Sequence, residues 1–371
     1  MDGTQPRPQP HGGRVTMNAP TKPTLAFWTD AEELECVSFL REAPDVMTFC
    51  FRSPSGALFS FEPGQFLTLE LPLPGGALHR TYTISSSPSR PTSLTVTVKA
   101  QKASIGTRWM FDHLRPGMRI RARGPAGKFS MMQDPAEKYL FISAGSGITP
   151  MVSMTTFLYD SGRDPDIVFV NCARRPSEII FRERLEHMAT RVAGIDLKWI
   201  VEEPDPYRPW TGYRGMFNQL MLGLIAPDYL ERDVYCCGPE PFMQAVRDIL
   251  HGLGYDMARY HQESFGGPPA EAETVPEDVV PQEDALAEVS FAASGKTARC
   301  AETETILATA RAAGIPIPSG CGMGICGTCQ VLKLSGQVHM VHNGGITDED
   351  VEAGYILACC SRPIGDVTID L

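Results

Sequence analysis

Apolar and polar positions follow three different regimes along the chain. Between residues 27 and 130 short runs alternate in polarity, as in FLTLELPL (66–73) and SLTVTVKA (93–100), and are cut by PGQ, PLPGG and RPG. A period of two broken by Gly and Pro predicts short antiparallel strands that close into a barrel. From Lys138 the alternation stops. KYLFISAG, DIVFVNCA and RDVYCCG are apolar on both faces and each precedes a helical stretch, which predicts a parallel, doubly wound α/β sheet. PPAEAETVPEDVVPQEDALA, from Pro268, is rich in Pro, Ala and acids and has no apolar period. It reads as a solvated, semi-extended linker. The pattern divides the chain into a loose tail (1–26), a β-barrel (27–135), an α/β unit (136–267), an acidic linker (268–287) and a C-terminal unit (288–371).

A length of 371 residues fits this division, since single cores stop growing well below that size. No stretch approaches the roughly 20 continuous apolar residues of a membrane span, and MDGTQPRPQPHGGRVTMNAP lacks the apolar core of a secretory signal. The expectation is a cytoplasmic protein with no membrane partner. Eleven cysteines, an odd number, in such a chain predict reduced thiols, some of them ligands. The net charge of −11 disfavours nucleic acid, which needs a basic face. Residues 1–267 hold 29 acidic against 28 basic side chains, residues 268–286 hold 6 against none, and residues 287–371 hold 9 against 5. The negative charge therefore belongs to the linker and the C-terminal unit.

The densest chemistry lies in CGMGICGTC, where Cys321, Cys326 and Cys329 follow a C-x4-C-x2-C spacing. Three thiolates so close could form disulfides, hold zinc or hold an iron–sulfur cluster. Cys359 and Cys360 follow about 30 residues later, and this spacing with a distant fourth cysteine is that of plant-type [2Fe–2S] sites. Zinc sites use paired C-x2-C knuckles, and the chain has one such pair. Spacing alone leaves the fourth ligand open between Cys359 and Cys360. Cys36, Cys50, Cys172, Cys236 and Cys300 read as core thiols.

Two segments of the α/β unit carry turn chemistry at strand ends. YLFISAGSGITPM places Gly145 and Gly147 after a strand and Thr149 at a helix start, an arrangement that brings free amides to a pyrophosphate. Such a turn also serves geometry alone. VYCCGPEPFM places Cys237 and Gly238 at a second strand end on what would be the same carboxyl edge, where open α/β sheets bind ligands. In the barrel, HRTYTISSSP presents Arg80, Tyr82 and Thr83 together, a set able to fork onto phosphate, stack on a flat ring and hydrogen-bond a ring nitrogen.

Barrel with RTYT, then GPAGKFS, then AGSGITP, then YCCGP is an order that resembles the ferredoxin–NADP reductase superfamily of flavoproteins over residues 27–267. The resemblance implies that Arg80 and Thr107 bind the flavin pyrophosphate, with Ser104 standing where the family often has Gly. It places Tyr82 against the isoalloxazine, Thr83 near its N5, and Cys237, Gly147, Thr149, Gly145 and Gly238 around the nicotinamide. Phe265 would shield one ring face. GPAGKFS resembles the loop beneath FAD, so FAD is expected over FMN. CARRPSEIIFRERL resembles the NADH-linked branch, although Arg174 and Arg175 could pair a 2′-phosphate, so NADH is expected over NADPH.

IPSG before the cysteine loop and GYILAC after it resemble a plant-type ferredoxin, an α+β β-grasp domain, and that resemblance selects Cys359 as fourth ligand. NADH gives electrons in pairs and a [2Fe–2S] cluster takes one, so flavin between them makes an electron-transfer enzyme. HNGGITDEDVEAGYILACCSRPIGDV and the domain order resemble reductase components of Rieske-type oxygenases that demethylate quaternary amines such as glycine betaine or stachydrine. They also resemble NADH reductases of hybrid-cluster proteins and of di-iron or steroid hydroxylases. A redox-sensing module without turnover is the reading from another class, and the complete nicotinamide half argues against it. The partner implied is a separate terminal oxygenase.

Overall fold

A computed structural model describes residues 26–74, 76–100, 104–133, 135–162, 164–206, 208–264, 285–342 and 345–371. Phe265 and nearly all of the acidic segment lie outside the described residues.

The first unit contains β1 (Leu34–Ala43), β2 (Val46–Arg52), β3 (Phe66–Leu73), β4 (Gly76–Thr83), β5 (Leu94–Lys99), α1 (Ile105–His113) and β6 (Arg119–Ala126). Its antiparallel sheet runs β4-β3-β6-β1-β2-β5, and an Ile84–Val96 bridge joins the two ends into a barrel. Alternation on β3 sends Leu67, Leu69 and Leu71 inward, where all three are fully buried with Phe49, Phe51 and Val96. Thr68 points to the opposite face, yet it too is buried. Something outside the barrel covers it.

The second unit holds β7 (Lys138–Ala144), α2 (Ile148–Asp160), β8 (Asp166–Ala173), α3 (Arg182–Ala189), β9 (Ile195–Val201), β10 (Tyr213–Arg214), α4 (Gln219–Ile225), β11 (Asp233–Gly238), α5 (Glu240–Gly252) and β12 (Tyr260–Ser264). Every pairing in the order β10-β9-β8-β7-β11-β12 is parallel. Two apolar clusters coat its faces, one around Phe141 and Phe169 and one around Ile142 and Val170, which explains why β7 and β8 are apolar without alternation.

The barrel and this sheet share a core: Ala43, Val46, Phe129 and Met131 belong to the cluster of Phe141 and Met154. Polar contacts fix the seam. Ser153 Oγ donates to the Ser86 carbonyl at 2.6 Å, and Arg90 forks onto Asp160 at 2.8 and 2.7 Å.

The third unit comprises β13 (Leu286–Phe291), β14 (Lys296–Ala301), α6 (Ile306–Ala312), β15 (Gln330–Met340), α7 (Asp348–Glu352), β16 (Tyr355–Leu357) and β17 (Ser361–Ile369). In the order β14-β13-β17-β15-β16 the first and last strands of the unit, β13 and β17, pair in parallel, the mixed sheet of a β-grasp fold. The domain begins before the Glu288 read from the linker composition. Leu286 and Ala287 already pair with β14, and Ala287 is buried, because alanine in an acidic, Pro-rich context is indistinguishable from linker by composition.

Arg232 locks the base of the parallel sheet. Its side chain is 7% exposed and bonds Asp228 and Asp166, each at 2.7 Å, and the Tyr139 carbonyl at 3.2 Å. Arg232→Ala strands these acceptors and should destabilise the nucleotide domain by about 3 kcal/mol, checked by thermal unfolding of the full chain; a change within error would show that the network contributes nothing net.

Candidate functional site

Three units meet at one cavity of about 220 Å³, lined by Phe66, Arg80, Thr81 and Thr83 from the barrel, Glu263 from β12, and Gly320, Cys321, Met323 and Ile325 from the cysteine loop. The burial of Thr68 is explained here. A Cβ on Gly320 would lie 3.3 Å from both the Thr68 methyl and Thr81 Oγ1, and those two threonine hydroxyls bond each other at 3.1 Å. The cysteine loop thus rests directly on the β3–β4 hairpin.

On the barrel side, β4 carries three of the expected residues. Thr83 is buried and its hydroxyl donates toward Glu263 Oε2 at 3.5 Å. Tyr82 is half-buried with its hydroxyl unpartnered among the described residues, and burial pushes its pKa up. Arg80 is exposed along the cavity wall, one guanidinium nitrogen on the His79 carbonyl at 2.8 Å. Beside it begins α1, where the Ser104 hydroxyl caps the Thr107 N–H at 3.4 Å. Serine is a good N-cap, which accounts for its presence where the resemblance expects Gly. Thr107 Oγ1 is buried and unpartnered among the described residues. A Cβ on Gly106 would reach within 3.3 Å of Arg80 and 3.1 Å of Leu71 and Leu78. Unsatisfied buried hydroxyls at Tyr82 and Thr107, a cationic wall and a tight helix start fit a flavin with its phosphates at α1.

On the nucleotide side, Gly145–Gly147 forms a 3₁₀ turn between β7 and α2. A Cβ on Gly147 would fall 2.1 Å from the Cys237 carbonyl oxygen and 2.7 Å from Gly238 N, so only glycine lets the two strand ends meet. Thr149 is buried with its hydroxyl on the Ser146 carbonyl at 3.0 Å, bracing the turn. Cys237 and Glu263 are register partners across β11 and β12. The Cys237 thiol is fully buried, and burial, with the neighbouring Glu263 charge, pushes its pKa well up.

Glu263 is the residue that sequence reading passed over. Burial pushes its carboxyl up to about 8 against a lowering bond from Thr83, so near pH 7 it is mostly neutral and able to donate a hydrogen bond. Its signal lay in HQESFG, but only cross-strand pairing with Cys237 and contact with Thr83 distinguish it from any strand glutamate.

In the third unit, backbone amides converge on all four expected sulfurs. Cys321 Sγ accepts from Met323 and Ile325 N–H at 3.3 and 3.4 Å, Cys326 Sγ from Cys321 N–H at 3.4 Å, Cys329 Sγ from Cys359 N–H at 3.4 Å, and Cys359 Sγ from Gly324 N–H at 3.3 Å. The sulfurs sit in pairs, Cys321 with Cys326 and Cys329 with Cys359. Four cysteine thiolates in two pairs suit a two-iron cluster. Gly324 has φ +68°, and a Cβ there would meet Cys360 Sγ at 2.7 Å. Cys360 Sγ lies against Cys359 and turns to the Leu357 carbonyl at 3.6 Å. The donor set and its amides fit a [2Fe–2S] cluster.

Fold and cavity together define an oxidoreductase built to pass electrons between a nicotinamide, a flavin and an iron–sulfur cluster. Residues 35–131 match an oxidoreductase FAD-binding domain, 141–248 an oxidoreductase NAD-binding domain and 291–363 a 2Fe-2S iron-sulfur cluster binding domain. The stachydrine N-demethylase reductase subunit of Rhizobium meliloti is 73% identical over 93% of this chain and 98% of its own. The glycine betaine monooxygenase reductase subunit of Pseudomonas aeruginosa is 48% identical over 94% and 97%. Phthalate dioxygenase reductase, a modular structure for electron transfer from pyridine nucleotides to [2Fe–2S], superposes with TM-score 0.59 at 25% identity over 93% of this chain and all of its own. The chain belongs to this family of flavin- and [2Fe–2S]-containing reductase components. Among the described residues no helix is long and apolar enough to cross a membrane.

Gly147→Ala forces its new methyl into the Cys237 carbonyl and should cost about 2 kcal/mol of stability by overpacking, with a raised KM for the nicotinamide. Unchanged unfolding and unchanged KM would mean that the two strand ends separate freely.

Proposed function

We propose that this chain is the NADH-dependent reductase of a two-component, Rieske-type oxygenase that demethylates a quaternary amine, and that it works in the cytoplasm, where NADH is made. The observation that carries the relay is the shared cavity, where Thr83 and Glu263 stand on one side and the Cys321–Ile325 loop on the other. The substrate class is supported by the names of the relatives, a stachydrine N-demethylase subunit and a glycine betaine monooxygenase subunit.

When bound, FAD takes a hydride from NADH and releases electrons singly to a [2Fe–2S] cluster, a type whose potential lies near about −400 mV. The chain's own residues place those groups. Arg80 and the α1 amides hold the flavin phosphates. Tyr82 packs against the ring system, and Thr83, steadied by the neutral Glu263 carboxyl, hydrogen-bonds near its reactive edge. Gly145, Gly147, Thr149, Cys237 and Gly238 would shape the nicotinamide site. Cys321, Cys326, Cys329 and Cys359 hold the cluster. The excess of acids over bases in residues 287–371, 9 against 5, favours a basic face on the oxygenase, and brief redox encounters suit such charge pairing.

Preference for NADH rests on Glu203. Arg174 Nε meets Glu203 Oε1 at 2.8 Å, and Arg175 Nη2 meets Oε2 at 2.9 Å. A 2′-phosphate would have to displace this carboxylate and then sit beside it, whereas a ribose hydroxyl can donate to it. Glu203→Gln should raise the kcat/KM ratio of NADPH to NADH by about tenfold; an unaltered ratio removes Glu203 from the specificity site.

Cys359→Ser should abolish the [2Fe–2S] EPR signal and cytochrome c reduction while flavin reduction by NADH persists, and Cys360→Ser should retain the cluster. The reverse result would exchange the two ligands. For the function as a whole, NADH-driven demethylation of stachydrine and glycine betaine by a separately purified Rieske oxygenase should depend on this protein. Failure with both amines, alongside active cytochrome c reduction, would remove the substrate class and leave the relay.

A further inference from the structure

We propose that the ferredoxin-like domain completes the flavin site, with Arg311 of α6 contacting the FAD diphosphate across the domain seam. This inference rests on the FAD reading above and adds to it a residue from outside the flavin-binding domain.

Arg80 lines three adjoining spaces: the 220 Å³ cavity at Thr83, a space of about 430 Å³ beside Ser104, and a groove of about 720 Å³ between β4 and the third unit. The smallest suits a ring system. The groove is in the range of whole ligand pockets and has room for an adenylate. Its walls include Leu78 and His79 of β4 on one side and Leu307, Arg311 and Ile317 on the other.

The charge pattern of the groove is what singles it out. Arg80 and Arg311 both line it, both are exposed, and no carboxylate is among its described lining residues. His79 is paired with Glu70 at 3.6 Å, and burial holds its pKa down. In a domain with 9 acidic and only 5 basic side chains, one of the five thus lines the same apolar-walled groove as Arg80. Two guanidiniums lining one groove suit an anionic ligand that both can reach. A diphosphate leaving the Thr83 cavity along Arg80 is the anion this site fits. The adenylate beyond it would lie between β4 and the 316–320 segment, so that flavin and domain docking hold each other in place.

The test uses the full chain, stripped of flavin with its cluster retained, and titrated with FAD and with riboflavin, which lacks phosphate. Arg311→Glu should weaken FAD binding about tenfold or more and leave riboflavin within twofold, with the cluster EPR spectrum unchanged; Arg311→Lys should fall between. Equal FAD affinity in wild type and Arg311→Glu overturns the inference. Parallel loss of FAD and riboflavin also overturns it, showing that Arg311 only holds the seam. Acid release of FMN from wild-type protein would remove the FAD reading itself, whatever the variants show.

Discussion

An electron crosses between two buried centres at a useful rate only over a short gap, and here the cysteine loop lying on the β3–β4 hairpin would set that gap. Gly320 against Thr68 and Thr81 is the contact that would set it. Thr68 records the consequence. Strand alternation turns it away from the barrel core, and it is nonetheless 2% exposed because another domain covers it. A side chain at Gly320 would crowd Cys326 Sγ at 3.1 Å and both threonines at 3.3 Å.

Around this contact each domain supplies what the others lack. The barrel offers Phe66, Arg80, Thr81 and Thr83 as one wall of the cavity. The parallel sheet brings its carboxyl edge to the same cavity through the shared Val46–Phe141 core and the Arg90–Asp160 fork. It delivers Glu263 as a neutral acid, since a carboxylate buried there without a cation would be costly. The cysteine loop turns its amides inward onto sulfur and its outer face to the cavity. Two-electron chemistry on one side and one-electron chemistry on the other become neighbours because the three domains meet at one cavity.

What was legible in the sequence was local. The C-x4-C-x2-C spacing, the GSG turn and the RTYT strand each hold their meaning within ten residues, and each element stands where its pattern put it. What was illegible depends on pairings between distant segments. Glu263 acquires its character from Thr83, 180 positions away, and from Cys237 across the sheet. Arg174 and Arg175 suggested a phosphate site, but Glu203, which occupies both, lies on the next strand's end. The start of the third domain was hidden because Leu286 and Ala287 sit in acidic, Pro-rich sequence, and only pairing with β14 makes them strand. Ser104 departed from the resembled pattern for a reason that needed α1 in place, its role as N-cap.

The central claim is that flavin and cluster share one cavity and are reduced in sequence by NADH. Anaerobic titration with NADH, followed by visible absorption and low-temperature EPR, tests it most directly. Uptake of about three electrons per chain, two bleaching the flavin and one raising a rhombic [2Fe–2S] signal, is the predicted result. Bleaching of the flavin with no EPR signal from an intact cluster would contradict the account, since it would mean that the loop on the β3–β4 hairpin does not receive electrons from the site it lines.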